Sequence, residues 1–174
     1  PKSALRVLAD SMEAGNQAGI LGVLHASTPQ EQKMAQAMAD LAAAIAGLNK
    51  DAVSAFGAEG AKLLTGDVSA AAAKGLANLS AATEKIDGDK ATVVVADGGA
   101  GGDAPVTLVK QDGKWKYPVS EMAKGIDPAQ IDQGIADAAA QATLLKEAAE
   151  EVRAGKYKTG EEVRSTLEQR VMQM

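Results

Sequence analysis

The chain has 174 residues, a formal net charge of −5 and no cysteine. This length suits one domain with a buried core, and the lack of cysteine excludes disulfides, thiolate metal sites and cysteine nucleophiles. The acidic balance, without any basic cluster, argues against nucleic acid as a partner. No apolar run approaches the roughly 20 residues needed to cross a bilayer, so we expect no membrane span.

Alanine makes up about a fifth of the residues and aromatic residues only 2%. Alanine favours helices, and a core with so few rings must be built from aliphatic side chains and closely approaching small residues. The chain begins at Pro1 rather than at a methionine. Removal of a signal peptide would explain this, as would trimming. We expect a periplasmic or secreted protein rather than a cytoplasmic one.

The first part of the chain is predicted to be helical. Residues 3–26 form a first helix, with a possible break near Gly15. Thr28 and Glu31 form a capping box around Pro29 and start a second helix, which is predicted to stop at Asn49. Shorter helical segments are expected over residues 51–56, 58–64 and 67–83, separated by glycines.

The middle of the chain changes to a strand pattern. Three β-branched or aromatic runs predict strands near residues 90–97, 104–111 and 114–117, with a glycine-rich loop over 97–103 and a turn at Asp112 and Gly113. The chain is therefore expected to be an α+β protein, dominated by helices, with a small antiparallel sheet of about three strands.

The last part returns to helices. Asp127 and Pro128 start a helix with an apolar stripe in alternating four- and three-residue steps, formed by Ile131, Ile135, Ala138, Ala142, Leu145, Ala149 and Val152. Thr159 caps a final helix. We expect an α+β domain over 1–126 and a C-terminal helical hairpin over 127–174, packed on that domain or on a partner. Protein association or self-association would use Ile131, Ile135, Leu145 and Val152.

Three segments carry a family resemblance. Residues 87–95 form a turn and strand, residues 109–116 a strand, glycine turn and tryptophan strand, and residues 48–53 a helix junction. With these segments, roughly residues 30–118 resemble the nuclear transport factor-like (cystatin-like cone) superfamily, in particular bacterial exported proteins of lumazine-binding type. The resemblance implies a scaffold used for small-ligand binding, protein association or, occasionally, catalysis.

Catalytic signals are weak. His25 is the single histidine, and we expect it at a helix end, with Ser27 or Asp10 as its possible partner. No motif places a nucleophilic serine, so no catalytic residue is assigned. No metal site and no cofactor are assigned either, because one histidine and no cysteine leave only carboxylates as ligands.

The pattern favours a non-catalytic binding or protein-interaction domain. The alternative is a small-ligand binder with a cone-type pocket floored by Trp115 and Tyr117, which share one face of their strand. An enzyme ranks third, with Glu84, Asp89 and His25 as default candidates for an acid or base.

Overall fold

The structure is a computed structural model that describes residues 1–62, 78–79, 81–94 and 105–173. In these residues the protein is α+β and rich in helix, as predicted. The predicted loop over 97–103 and most of the predicted helix over 67–83 lie outside the described residues. The same holds for 63–64, 95–97 and 104.

The N-terminal segment forms two helices, α1 (Lys2–Glu13) and α2 (Gln17–Val23). Gly15 turns the chain between them with a φ of +64°, and the Asn16 side chain caps α2 by accepting from the Gly19 amide at 3.1 Å. The predicted break near Gly15 is confirmed. The helix was expected to continue to residue 26, but Leu24–His25 form a short strand, β1.

Helix α3 (Pro29–Phe56) is the longest described element. Thr28 Oγ1 accepts from the Glu31 amide at 3.2 Å, and Glu31 Oε2 accepts from the Ser27 amide at 2.6 Å, which confirms the predicted start. The predicted stop at Asn49 is wrong. Leu48 and Ala52 on either side of it are fully buried, so packing continues the helix past a residue of weak helix propensity. A 3₁₀ helix over Gly57–Lys62 follows.

Within the described residues the sheet has five strands, whereas about three were predicted. Their order is β1-β5-β4-β3-β2, and all neighbours are antiparallel except β1 and β5, which are parallel. The four remaining strands are β2 (Thr83–Asp87), β3 (Lys90–Val94), β4 (Pro105–Gln111) and β5 (Lys114–Pro118).

The two missed strands carry no strand signal in the sequence. All five residues of the edge strand β2 are exposed, so no alternation of apolar and polar residues marks it. Its first residue, Thr83, was assigned to a helix and is instead paired with Val94. Strand β1 has only two residues, too few for any periodicity, and it exists through its pairing of Leu24 with Tyr117.

The C-terminal part contains α4 (Val119–Met122), α5 (Pro128–Arg153) and α6 (Gly160–Val171). Both predicted caps are confirmed. Asp127 Oδ1 accepts from the Ala129 amide at 2.8 Å, and Thr159 Oγ1 accepts from the Glu162 amide at 3.3 Å.

Helix α5 runs parallel to α3 along its length. Near the start of both helices, Gln30 donates to Asp132 at 2.9 Å, and near their ends Arg153 forms an ion pair with Asp51 at 3.1 Å. In this structure the C-terminal helices therefore pack on the rest of the chain. The division into domains at 126 and 127 stays a prediction.

The described core has three clusters. The N-terminal cluster joins α1, α2, β1, α4 and the first half of α3, the sheet cluster lies between α1 and the strands, and the C-terminal cluster joins α3, α5 and α6. The buried members of the N-terminal cluster are Leu8, Ile20, Val23, Leu24, Ala35, Ala39, Ala42 and Val119. Those of the sheet cluster are Ala82, Val93 and Leu108. Those of the C-terminal cluster are Leu48, Ala52, Leu144, Ala148, Ala149, Val152, Val163 and Leu167.

A polar network fixes α6 to the end of α5. Both oxygens of the Glu151 carboxylate accept from Arg170 Nη2, at 3.0 and 3.1 Å, and the carboxylate also accepts from Lys156 Nζ at 3.2 Å and from the Tyr157 hydroxyl. The Glu151 side chain is 19% exposed. Hydrogen bonds from Tyr157, Arg170 and Lys156 lower the pKa of Glu151 from 4.5 to about 2.

Gly15 offers a test of the close approach between the first turn and α3. A Cβ placed there would lie 2.6 Å from the Ala46 Cβ, in a conformation that L side chains rarely adopt. We expect Gly15→Ala to lower the free energy of unfolding by about 1–3 kcal/mol, measured by urea denaturation. The matched control is Gly47→Ala in α3, where a Cβ meets nothing within 4 Å. This variant should gain about 0.5–1 kcal/mol. Equal effects of the two substitutions would contradict the proposed packing.

Glu151 predicts a specific response to acid. Its folded-state pKa is depressed, so its contribution to stability is complete above about pH 4.5 and is lost as the pH falls towards 2. Glu151→Gln should lower stability by about 1–2 kcal/mol at neutral pH and should flatten the fall in Tm below about pH 4.5. The control is Glu168→Gln, which removes the same charge from an exposed pair with Arg164 on α6. That variant should stay within about 0.5 kcal/mol of the parent protein at neutral pH.

Candidate functional site

An open apolar cleft lies between the N-terminal halves of α3 and α5. Its volume is about 210 Å³. Nine residues line it: Met34, Ala37 and Met38 of α3, Ile126 before α5, and Gln130, Ile131, Gly134, Ile135 and Ala138 of α5. We refer to this feature as the α3–α5 cleft.

The spacing of residues on the two helices creates this cleft. On α5 the large residues Ile131 and Ile135 are four positions apart and therefore share a face. Gly134 lies between them on that face, and a Cβ added there would meet nothing within 4 Å. Gln30 spans the helices beside the cleft, donating to the Pro128 carbonyl at 3.2 Å as well as to Asp132. The helices are thus held at a fixed distance while a small residue leaves room between them.

The lining determines what the cleft can do chemically. The amide of Gln130 is its one polar side chain, and none of the nine lining residues has an ionisable group. A general acid, a general base or a nucleophile has no candidate there. Among the described residues there is also no group of three or more His, Asp and Glu side chains that could hold a metal ion. The cleft is therefore suited to binding apolar groups.

The four predicted interaction residues have different environments. Ile131 and Ile135 are half-buried and line the cleft. Val152 is buried, and Leu145 is half-buried against the C-terminal cluster. The predicted stripe is therefore divided: its second half packs within the chain and its first half faces an opening.

The predicted ligand residues, Trp115 and Tyr117, lie outside the cleft. Trp115 packs against the sheet cluster, with Lys110 Nζ 5.8 Å from its ring centroid. Tyr117 packs against the N-terminal cluster, and burial, assisted by the charge of Glu121, raises its pKa. Both rings touch core residues in this structure, and their role in ligand binding stays a prediction.

The three default acid–base candidates are not brought together. His25 lies in β1 rather than at a helix end, and its Nε2 is 3.1 Å from Ser27 Oγ. Glu84 lies in β2, and hydrogen bonding from the Lys2 backbone amide lowers its pKa, the opposite of what a general acid requires. Asp89 is exposed in the turn between β2 and β3.

Sequence reasoning missed most of the cleft. Met34 and Met38 are four positions apart and therefore share one face of α3, but this spacing does not show that the face lies beside Ile131 and Ile135. Which helix packs against a given helix face depends on how the chain connects the two helices, and between α3 and α5 this connection runs through the sheet. The residues of either helix alone carry no signal for that packing. Gly134 was the available clue, because a glycine lowers helix propensity and leaves a gap in the side chains of the α5 face.

Comparisons with known proteins give no relative. No family model matches the chain, and no curated protein and no solved structure matches it. None of the described helices combines the length and the apolar character needed to cross a membrane. The geometry of the cleft is therefore the basis for inferring function.

Gly134 provides a direct test of the open space in the cleft. Gly134→Ala adds a methyl group to a helical position without neighbours. We expect it to raise the free energy of unfolding by about 1 kcal/mol, since alanine has the higher helix propensity. Urea denaturation would measure this change. A loss of stability would mean that another part of the protein occupies the space.

Proposed function

We propose that the protein is a non-catalytic protein-binding domain that receives apolar side chains of a partner in the α3–α5 cleft. The observation that supports this is the lining: an opening between two helices, built from methionine, isoleucine, alanine and glycine, without an ionisable group. Apolar surface left open in this way gains free energy when it is covered.

The size of the cleft favours a protein partner over a small ligand. Pockets that enclose a drug-sized ligand usually measure about 300–1,000 Å³. The cleft, at about 210 Å³, is smaller and open to solvent. Such a volume suits one or two side chains projecting from a larger partner, whose remaining surface would rest on the surrounding helices.

The residue types in the cleft support adaptable binding. Met34 and Met38 form its α3 side, and both are half-buried. Methionine is unbranched and polarizable, so it can adjust to the shape of an incoming side chain. Gly134 opposite them offers space without a side chain of its own. An apolar partner group can therefore be accommodated without movement of either helix backbone.

The alternatives have less support. A cone-type pocket floored by Trp115 and Tyr117 is less favoured, because the two rings pack against different core clusters and neither lines the cleft. The resemblance to the nuclear transport factor-like superfamily and the export of the protein stay predictions. Protein association is one of the uses that this resemblance implies.

The proposal is tested by panning a phage-displayed peptide library against the full chain. We expect enriched peptides to carry large apolar residues and to bind with dissociation constants that can be measured by fluorescence anisotropy. Gly134→Leu should weaken this binding at least about tenfold, because its side chain would fill the cleft. A second variant, Ile135→Gln, should act similarly by making the lining polar.

The control for these variants is Val7→Gln on α1, which changes an apolar residue that is 48% exposed but lies outside the cleft. It should leave binding unchanged. Circular dichroism would first establish that all three variants are folded. If the enriched peptides bind the two cleft variants as tightly as the parent, the cleft is not the binding site and the proposal is wrong.

A further inference from the structure

Three of the four charged residues next to the cleft lining in sequence are acidic. Asp127 follows Ile126, Asp132 follows Ile131 and Asp137 precedes Ala138, whereas Lys33, before Met34, is the single cation among them. Successive helical residues are about 100° apart, so Asp137 lies about 20° beyond one edge of the lining face of α5 and Asp132 about 60° beyond the other. The cleft thus has an apolar floor and a predominantly acidic border.

Two of these carboxylates lack a cationic partner among the described residues. Asp132 accepts from the Gln30 amide at 2.9 Å, and Asp137 accepts from the Gln133 amide at 2.7 Å. A glutamine amide supplies a hydrogen bond and orients a carboxylate, but it does not neutralise its charge. Asp127 differs, because it caps α5, where the helix dipole already favours a negative charge.

The other end of α5 is held by ion pairs. At its other end, Glu151 is paired with Arg170 and Lys156, and Asp51 of α3 is paired with Arg153. Glu147 and Glu150 in the same half of α5 form no ion pair among the described residues, so unpaired carboxylates occur along the whole helix. Within α5, Asp132 and Asp137 differ from them because they lie beside an open apolar surface. This is the arrangement expected of a surface that meets a cationic partner.

From this arrangement we infer that the partner is a basic amphipathic helix, which places apolar side chains in the cleft and Lys or Arg residues against Asp132 and Asp137. The inference rests on the proposed protein-binding function and adds the chemistry of the partner. The lining residues of α5 extend over eight residue steps, from Gln130 to Ala138, which is about 12 Å of helix. Two turns of a partner helix, with apolar anchors four residues apart, match this length.

Three synthetic helical peptides test the inference. All carry the same leucines at helical spacing, and they differ only in having Lys, Gln or Glu at the flanking positions. Binding to the full chain is measured by fluorescence anisotropy at low and at physiological salt. We expect the Lys peptide to bind more tightly than the Gln peptide and the Glu peptide to bind most weakly. The preference for Lys should decrease when salt is raised.

The decisive variant is Asp132→Asn with Asp137→Asn, which removes two charges and keeps the shape of the side chains. It should reduce affinity for the Lys peptide about three- to thirtyfold and leave affinity for the Gln peptide unchanged. The matched control is Asp87→Asn with Asp112→Asn, which removes the same charge at the turns of the sheet. Asn accepts the positive φ of +51° at position 112. This control should bind the Lys peptide as the parent does.

The outcomes separate this inference from the function on which it rests. Equal weakening by both double variants would show that net charge, not the border of the cleft, attracts the peptide, and would overturn the inference. Tight binding of cleft-dependent library peptides without any preference for Lys would also overturn it, while the protein-binding function would stand. A dimer that dissociates in Gly134→Leu, detected by light scattering, would identify the occupant as a second copy of the chain instead.

Discussion

Helix α3 is the element on which the rest of the described structure depends. Its first half packs against α1 and α2 through Ala35, Ala39 and Ala42, and its second half packs against α5 through Leu48 and Ala52. Most of these contacts are made by alanine, so the helix backbones must approach closely. With aromatic residues at 2% of the chain, small side chains at close distance supply the dispersion contacts that rings supply elsewhere. A side chain at position 15 would meet Ala46 and Ala43 of α3 and would therefore disturb the approach of the turn between α1 and α2 to this helix.

The side chains between α3 and α5 differ at the two ends of these helices. Between the N-terminal halves, Met34 and Met38 of α3 and Ile131 and Ile135 of α5 line an open space. Gly134 leaves part of this space unfilled. At the other end of α5, Val163 and Leu167 of α6 cover the equivalent face, and the core there is closed.

The sequence predicted the elements with strong local signals and missed those that depend on distant residues. The caps at Thr28, Asp127 and Thr159 could be read because side-chain hydrogen bonds to the nearest amides define them within a few residues. The end of α3 was misplaced, because buried Leu48 and Ala52 decide it and their burial depends on α5. Strands β1 and β2 were missed for the same reason: pairing with β5 and β3, respectively, defines them.

The candidate site could likewise be predicted from the sequence only in part. The periodicity of α5 showed that Ile131 and Ile135 must face something apolar. It could not show whether that face is covered within the chain or left open, because both kinds of face have the same spacing of apolar residues. What separates the two ends of α5 is the position of α6, which covers the C-terminal half. Carboxylates without a cationic partner occur in both halves. Asp132 and Asp137 accept from glutamines, and Glu147 and Glu150 form no ion pair among the described residues, whereas Glu151 is paired with Arg170. An isolated carboxylate in water gains little from an ion pair, so selection for stability alone would not require one there. The open apolar surface beside Asp132 and Asp137 is therefore the feature that calls for a partner. A basic amphipathic helix would cover that surface and would place cations next to both carboxylates at the same time.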